Sequence, residues 1–115
     1  MNELNQLREK ILQFCDERNW QQFHNPKDLA LSLSLEASEL LELFQWKTSE
    51  EAVEKNLDKM KDELADVLIY AILLASELEV NILTRVNNKI EKNTNKYPID
   101  KFKNSNLKYN ESNNW

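Results

Sequence analysis

The stretch Leu29-Ala30-Leu31-Ser32-Leu33-Ser34-Leu35-Glu36-Ala37-Ser38-Glu39-Leu40-Leu41-Glu42-Leu43-Phe44 can be read with two periods, and the choice between them decides the fold. From Leu31 to Leu35 apolar and polar residues alternate, as they do in a half-buried strand. Yet Ala30, Leu33, Ala37, Leu40, Leu41 and Phe44 recur at three- and four-residue steps through the same part and beyond it. The longer pattern predicts a helix. Asn25 caps its start, Pro26 suits the first helical position, and Asp28 falls in the first turn, where the helix dipole favours an acid. The helix is expected to reach about Trp46.

The same period extends in both directions. Leu4, Leu7, Ile11, Phe14 and Cys15 form one stripe and predict a helix from about Asn2 to Asn19, followed by an aromatic-rich connector, Trp20 to His24. Thr48 with Glu51 three residues on makes a capping box. It opens a third helix that runs through Met60, Leu64, Val67, Ala71 and Leu74 to about Leu78. A fourth, opened by Asn81, ends before Pro98, because the residue preceding a proline disfavours the helical region. From Ile99 the chain carries Asn104, Asn106, Asn110, Asn113 and Asn114 with few apolar residues, and left alone it would be disordered. The chain therefore reads as all-α, with a helical domain over residues 1–98 and a polar tail over 99–115.

Composition narrows the chemistry. A chain of 115 residues supports one domain, which buries about 60–70% of the surface exposed when unfolded. Glycine is absent and proline occurs twice, which argues against hairpin-rich β folds and excludes the glycine-rich loops that cradle phosphates. Twenty acidic residues against 15 basic ones leave a formal charge of −5, so no polymeric nucleic acid partner is expected. The first ten residues are charged, and the longest apolar run, Val67 to Ala75, is too short to span a bilayer. With Cys15 alone unable to form an internal disulfide, a soluble cytoplasmic protein without membrane contact is expected. One cysteine and one histidine, His24, also remove the usual zinc sets and most nucleophile arrangements. The chemistry falls to carboxylates.

Four acidic pairs stand three residues apart: Glu36 with Glu39, Glu39 with Glu42, Glu51 with Glu54, and Glu63 with Asp66. Their position relative to the apolar stripes separates them. Glu36 interrupts a run otherwise made of leucines, Leu29, Leu33, Leu40 and Leu43, and Glu39 lies beside it. Asp66 is flanked by Val67, Ile69 and Tyr70, with Glu63 one turn before. Glu51 and Glu54 sit among Glu50, Lys55 and Asp58 and read as a solvated face. An ionised carboxylate in an apolar seam costs several kcal/mol or shifts its pKa until neutral, and two on one turn aggravate this. A bound cation removes the conflict, and an all-oxygen donor set suits Mg²⁺ or Mn²⁺ better than Zn²⁺. The alternative is that these acids pair with Lys10, Lys59 or Lys61, or lie on the edge of a bundle.

Leu35-Glu36-Ala37-Ser38-Glu39-Leu40 followed by Glu63-Leu64-Ala65-Asp66-Val67-Leu68 resembles the metal-binding signature of the MazG-like nucleotide pyrophosphohydrolases. Further segments resemble the dCTP pyrophosphatase branch of that family: Arg18 to His24, Glu42 to Lys47, Asp66 to Tyr70, the series Lys89, Asn93, Tyr97 and Pro98, and Lys108-Tyr109. The resemblance runs through nearly the whole chain in order. It departs at Leu35, where many members have a further Glu, and at Ile11, where animal members have a substrate-facing His.

The resemblance implies an all-α bundle completed by oligomerisation, as a homodimer or homotetramer, and cleavage of a nucleoside triphosphate to monophosphate and pyrophosphate. It implies that Glu36, Glu39, Glu63 and Asp66 hold Mg²⁺, with Mn²⁺ as a possible substitute, and carry the catalysis. Trp20, His24, Trp46, Tyr70, Lys89, Asn93, Tyr97 and Lys108 would contact the substrate, expected to be dCTP or a modified pyrimidine dNTP. Two other readings stand beside it, a noncatalytic helical interaction module and a related enzyme acting on a noncanonical purine nucleotide.

Overall fold

The computed structural model describes residues 2–108, which are helical with turns between the helices and contain no strand. Helix α1 spans Glu3–Glu17, a 3-10 turn Trp20–Phe23, α2 Pro26–Glu42, α3 Ser49–Glu77, α4 Ile82–Lys96 and α5 Ile99–Phe102. Side-chain oxygens begin the four longer helices. Asn2 accepts from the Asn5 N–H at 2.8 Å, Asn25 from Asp28 at 2.9 Å, Thr48 from Glu51 at 3.1 Å and Asn81 from Thr84 at 3.1 Å. Each satisfies a donor that the first turn leaves unpaired.

The chain divides into two units, residues 1–80 and 81–115. In the first, α2 and α3 form an antiparallel hairpin, and α1 packs on α3 and on the 3-10 turn. Ile11 and Cys15 of α1, Leu29 of α2, and Ala52, Met60, Ile72 and Leu73 of α3 are its buried apolar residues. Burial of one such leucine or isoleucine contributes about 1.5–3 kcal/mol. In the second unit α4 leads to the short α5, and the Tyr97 ring meets Phe102 edge to face at 4.8 Å.

Several boundaries differ from the expectation. Helix α1 stops at Glu17 rather than Asn19, because Asn19 adopts the left-handed conformation (φ 55°). Helix α2 stops at Glu42 rather than Trp46. Leu43, Phe44 and Gln45 donate to the carbonyls three residues back, at 3.2, 2.9 and 3.2 Å, and Trp46 then reverses the chain at φ 63°. The apolar period continues through Leu43 and Phe44, but the tightened turns end the helix. Helix α3 is kinked at Asn56, whose φ of −121° and ψ of 18° are not helical.

The expected disorder of the tail gives way at its start, where Ile99–Phe102 makes a helical turn after Pro98. Tyr109, Asn110, Asn113 and Asn114 lie outside the described residues. With no glycine available, the left-handed positions fall to Asn19, Trp46, Glu79 and Asn104. Asparagine adopts this conformation readily; for Trp46 and Glu79 the Cβ contact costs about 1–2 kcal/mol.

Candidate metal centre

The hairpin brings the two acidic pairs together because Glu36 and Glu39 share one face of α2 and Glu63 and Asp66 one face of α3. Glu36, Glu39 and Glu63 each place a carboxylate oxygen within 4.8 Å of the others. Glu36, Glu63 and Asp66 are half-buried, and Glu39 is exposed. The Oε2 atoms of Glu36 and Glu63 are buried and accept no hydrogen bond. Asp66 lies outside the tight trio, yet its charge bears on both Glu36 and Glu63.

The cluster is electrostatically uncomfortable without a cation. Desolvation, hydrogen bonding with Glu39 and the charges of Glu39, Asp66 and Glu63 push the Glu36 carboxyl up to about 7. Burial, followed by the same interactions with Glu39 and the charges of Asp66 and Asp62, raises Glu63 as well. Among the described residues no lysine or arginine pairs with any of the four acids; Lys61 reaches Asp58 instead, at 4.0 Å. The pairing with Lys10, Lys59 or Lys61 that the sequence allowed is therefore not formed. Close oxygens, raised carboxyl pKa values and two unsatisfied buried acceptors fit a hard divalent cation. Glu51 and Glu54 are exposed, as their polar neighbours imply.

A cavity of about 410 Å³ opens beside the acids. Buried Ile11, Cys15 and Leu73 give it an apolar floor, Phe14, Trp20 and Tyr70 an aromatic wall, and Lys10, His24, Glu36 and Asp66 its polar groups. The wall is braced. Trp20 meets Phe14 edge to face at 5.5 Å, and the Arg18 guanidinium covers the Phe14 ring at 3.7 Å while donating to the Phe14 carbonyl at 2.9 Å. Burial and then the charges of Glu36 and Asp66 raise the Tyr70 hydroxyl, so it stays a proton donor. A second cavity of about 290 Å³ shares Trp20, His24 and Tyr70 and adds Asp28 and Ser32 of α2.

Trp20, His24 and Tyr70 thus stand beside the acids. Trp46 does not: it occupies the turn at the far end of the hairpin, 92% exposed. Lys89 and Asn93 are exposed on α4 of the second unit, Tyr97 caps that helix by donating its N–H to the Asn93 carbonyl at 2.8 Å, and Lys108 follows α5. The sequence reading missed Phe14, Ile69, Ser32 and Asp28 as cavity residues and took Lys10 only as a counter-ion. A signal existed: Lys10 and Phe14 are one turn apart and flank the buried pair Ile11 and Cys15.

Residues 31–111 match the MazG-like family. Over 111 residues the chain is 38% identical to dCTP pyrophosphatase 1 of Rattus norvegicus, covering 92% of this chain and 65% of that protein. Over 113 residues it is 38% identical to dCTP pyrophosphatase 1 of Homo sapiens, covering 94% of this chain and 66% of that one. The chain spans just under two thirds of the length of these curated relatives. The crystal structure of a pyrophosphatase from Archaeoglobus fulgidus matches with a TM-score of 0.80 and 40% identity, over 85% of this chain and 94% of that one. With sequence and fold agreeing over most of its length, the chain belongs to the MazG-like family.

Proposed function

We propose that the protein is a Mg²⁺-dependent nucleoside triphosphate pyrophosphohydrolase that converts dCTP, or a modified pyrimidine dNTP, to the monophosphate and pyrophosphate. The observation that carries this reading is the trio of carboxylate oxygens within 4.8 Å, two side chains of which hold unsatisfied buried acceptors, beside a cavity with a braced aromatic wall. The names of the relatives support the reaction and the base.

Glu36, Glu39, Glu63 and Asp66 would hold the metal. When bound, the ion supplies Lewis acidity toward phosphate oxygens and neutralises charge on the leaving pyrophosphate. The remaining roles belong to side chains. Trp20 offers a face for the base, kept in place by Phe14 and Arg18, and the protonated Tyr70 donates toward a substrate oxygen. Lys10 brings the one cationic group on that cavity to an anionic ligand, and His24 hydrogen-bonds at its margin. At about 410 Å³ the cavity is within the range of small-molecule sites. In the reaction water adds across the linkage between the α- and β-phosphates: one bond from the bridging oxygen to phosphorus breaks, the water oxygen bonds to the phosphorus released, and the bridging oxygen leaves with the other phosphoryl group, giving monophosphate and pyrophosphate.

The working unit in this reading is a homodimer or homotetramer. Among the described residues the first unit buries seven apolar ones, while Leu31, Leu35 and Leu41 of α2 and Leu64 and Leu68 of α3 remain exposed, an apolar surface that a second copy would cover. Trp46, on its exposed turn, would then contact substrate from a neighbouring copy. A cytoplasmic setting accords with a free thiol at Cys15. No single helix among the described residues is long and apolar enough to cross a membrane. The reaction is tested by incubating the protein and Mg²⁺ with a panel of nucleotides and identifying the first products. Monophosphate plus pyrophosphate, fastest for cytosine dNTPs, is expected; diphosphate plus orthophosphate would overturn the reading.

A further inference from the structure

We infer that Asn56 is a positioning residue: its side-chain amide, bonded to the Leu43 carbonyl, fixes the register in which the acids of α2 meet those of α3. This rests on the metal-site reading above and adds to it a residue outside the ligand set. The Asn56 Nδ2 donates to the Leu43 carbonyl at 3.0 Å in a half-buried position. That carbonyl lies just past the end of α2, where helix carbonyls lack an intrahelical partner. Asn56 is also where α3 departs from helical geometry. The residue that ties α3 to the end of α2 is thus also the one at which α3 kinks.

The placement of this tie gives it its consequence. Leu43 follows Glu36 by seven residues, and Asn56 precedes Glu63 by seven. Two helices that run in opposite directions from a shared tie come level at equal counts from it, here about two turns, or roughly 10 Å, away. The tie thus sets Glu36 opposite Glu63, the two residues whose Oε2 atoms are buried and unsatisfied. Slippage by one residue displaces a side chain by about 1.5 Å along the axis and about 100° around it, which takes a carboxylate out of the trio. Apart from the interactions of the acids with one another, no other side-chain hydrogen bond among the described residues joins α2 or its C-terminal turns to the body of α3. A partly desolvated amide-to-carbonyl bond is also stronger than the same bond in water.

The test uses the full chain in a Cys15→Ala background, so that no native thiol takes up label, with spin labels on Ser34→Cys and Lys61→Cys, exposed positions on α2 and α3 outside the acid set. The interhelix distance distribution is measured without metal, and Mn²⁺ alone is then titrated. Asn56→Ala and the isosteric Asn56→Asp, which has no donor, are expected to keep the helical circular dichroism of the parent. Both should broaden or shift the distance distribution and weaken Mn²⁺ binding about tenfold. Asn56→Gln, which restores a donor, should recover part of both. If Asn56→Asp folds and keeps the parent distances, the inference is wrong. It is equally wrong if the distances move while Mn²⁺ affinity does not. A parent chain that takes up no Mn²⁺ overturns the metal reading instead, and the metal-free distances still decide the role of Asn56.

Discussion

Glu36 of α2 and Glu63 of α3 face each other across the hairpin, and each keeps a buried carboxylate oxygen, Oε2, that no protein group satisfies. The pair is therefore a source of strain in the metal-free protein and, under the proposed function, of affinity for the cation.

Metal-free stability should fall as pH rises. The Glu36 carboxyl is raised from 4.5 to about 7 in the folded chain, so between those values the folded state binds more protons than the unfolded state. Stability then decreases with increasing pH across that window. Thermal scans in a chelator should give a lower Tm at pH 8 than at pH 5. Glu36→Gln should flatten this trend and raise the metal-free Tm at pH 8; identical pH profiles for the two proteins would exclude Glu36 as the source.

Glu39→Ala or Asp66→Ala should leave the far-ultraviolet circular dichroism unchanged and reduce kcat/KM by at least about a hundredfold, since loss of metal-assisted charge stabilisation amounts to several kcal/mol at about 1.4 kcal/mol per tenfold. Both side chains belong to a mutually repelling group, so their removal does not weaken the bundle. Unfolding of either variant would make the acids structural.

Replacing Glu79 with glycine should stabilise the protein by about 1 kcal/mol. Glu79 is left-handed (φ 56°) at the end of α3, where the Val80 N–H donates to the Ala75 carbonyl at 2.8 Å and the Glu79 N–H to the Ser76 carbonyl at 3.1 Å. This is a Schellman motif with a Cβ where glycine is favoured. Urea denaturation should show a higher midpoint with an unchanged m-value, and a lower midpoint would contradict the assignment.

Self-association should depend on the exposed leucines of α2. Sedimentation of the parent chain at micromolar concentration should give at least a dimer, and Leu35→Glu should shift it toward the 13.7 kDa monomer. A parent that is monomeric and fully active would remove both the oligomer and any part for Trp46 in a neighbouring site.

The helices were legible because their starts are written locally: Asn25, Thr48 and Asn81 cap where their spacing says, and the apolar period distinguishes α2 from a strand despite the alternation at Leu31 to Leu35. The ends were less legible. Leu43 and Phe44 continue the apolar stripe while the backbone tightens, and the left-handed corner at Trp46 has no glycine to announce it. Asn56 looks like any polar residue on an exposed helix, since its meaning comes from the Leu43 carbonyl, 13 residues away in sequence. Of the candidate site, the acids were readable from carboxylates lodged among leucines. The cavity was not, because Ile11 and Cys15 have the spacing of ordinary core and only the packed structure shows an opening above them.

Cys15, the single thiol of the chain, is 3% exposed at the floor of the cavity, and burial raises its pKa. Any alkylating reagent that enters by the cavity must use the space a nucleotide would fill. The rate at which this sulfur is modified therefore serves as a built-in occupancy gauge, slowing in proportion to the fraction of molecules whose cavity is filled, with no label introduced and no turnover required.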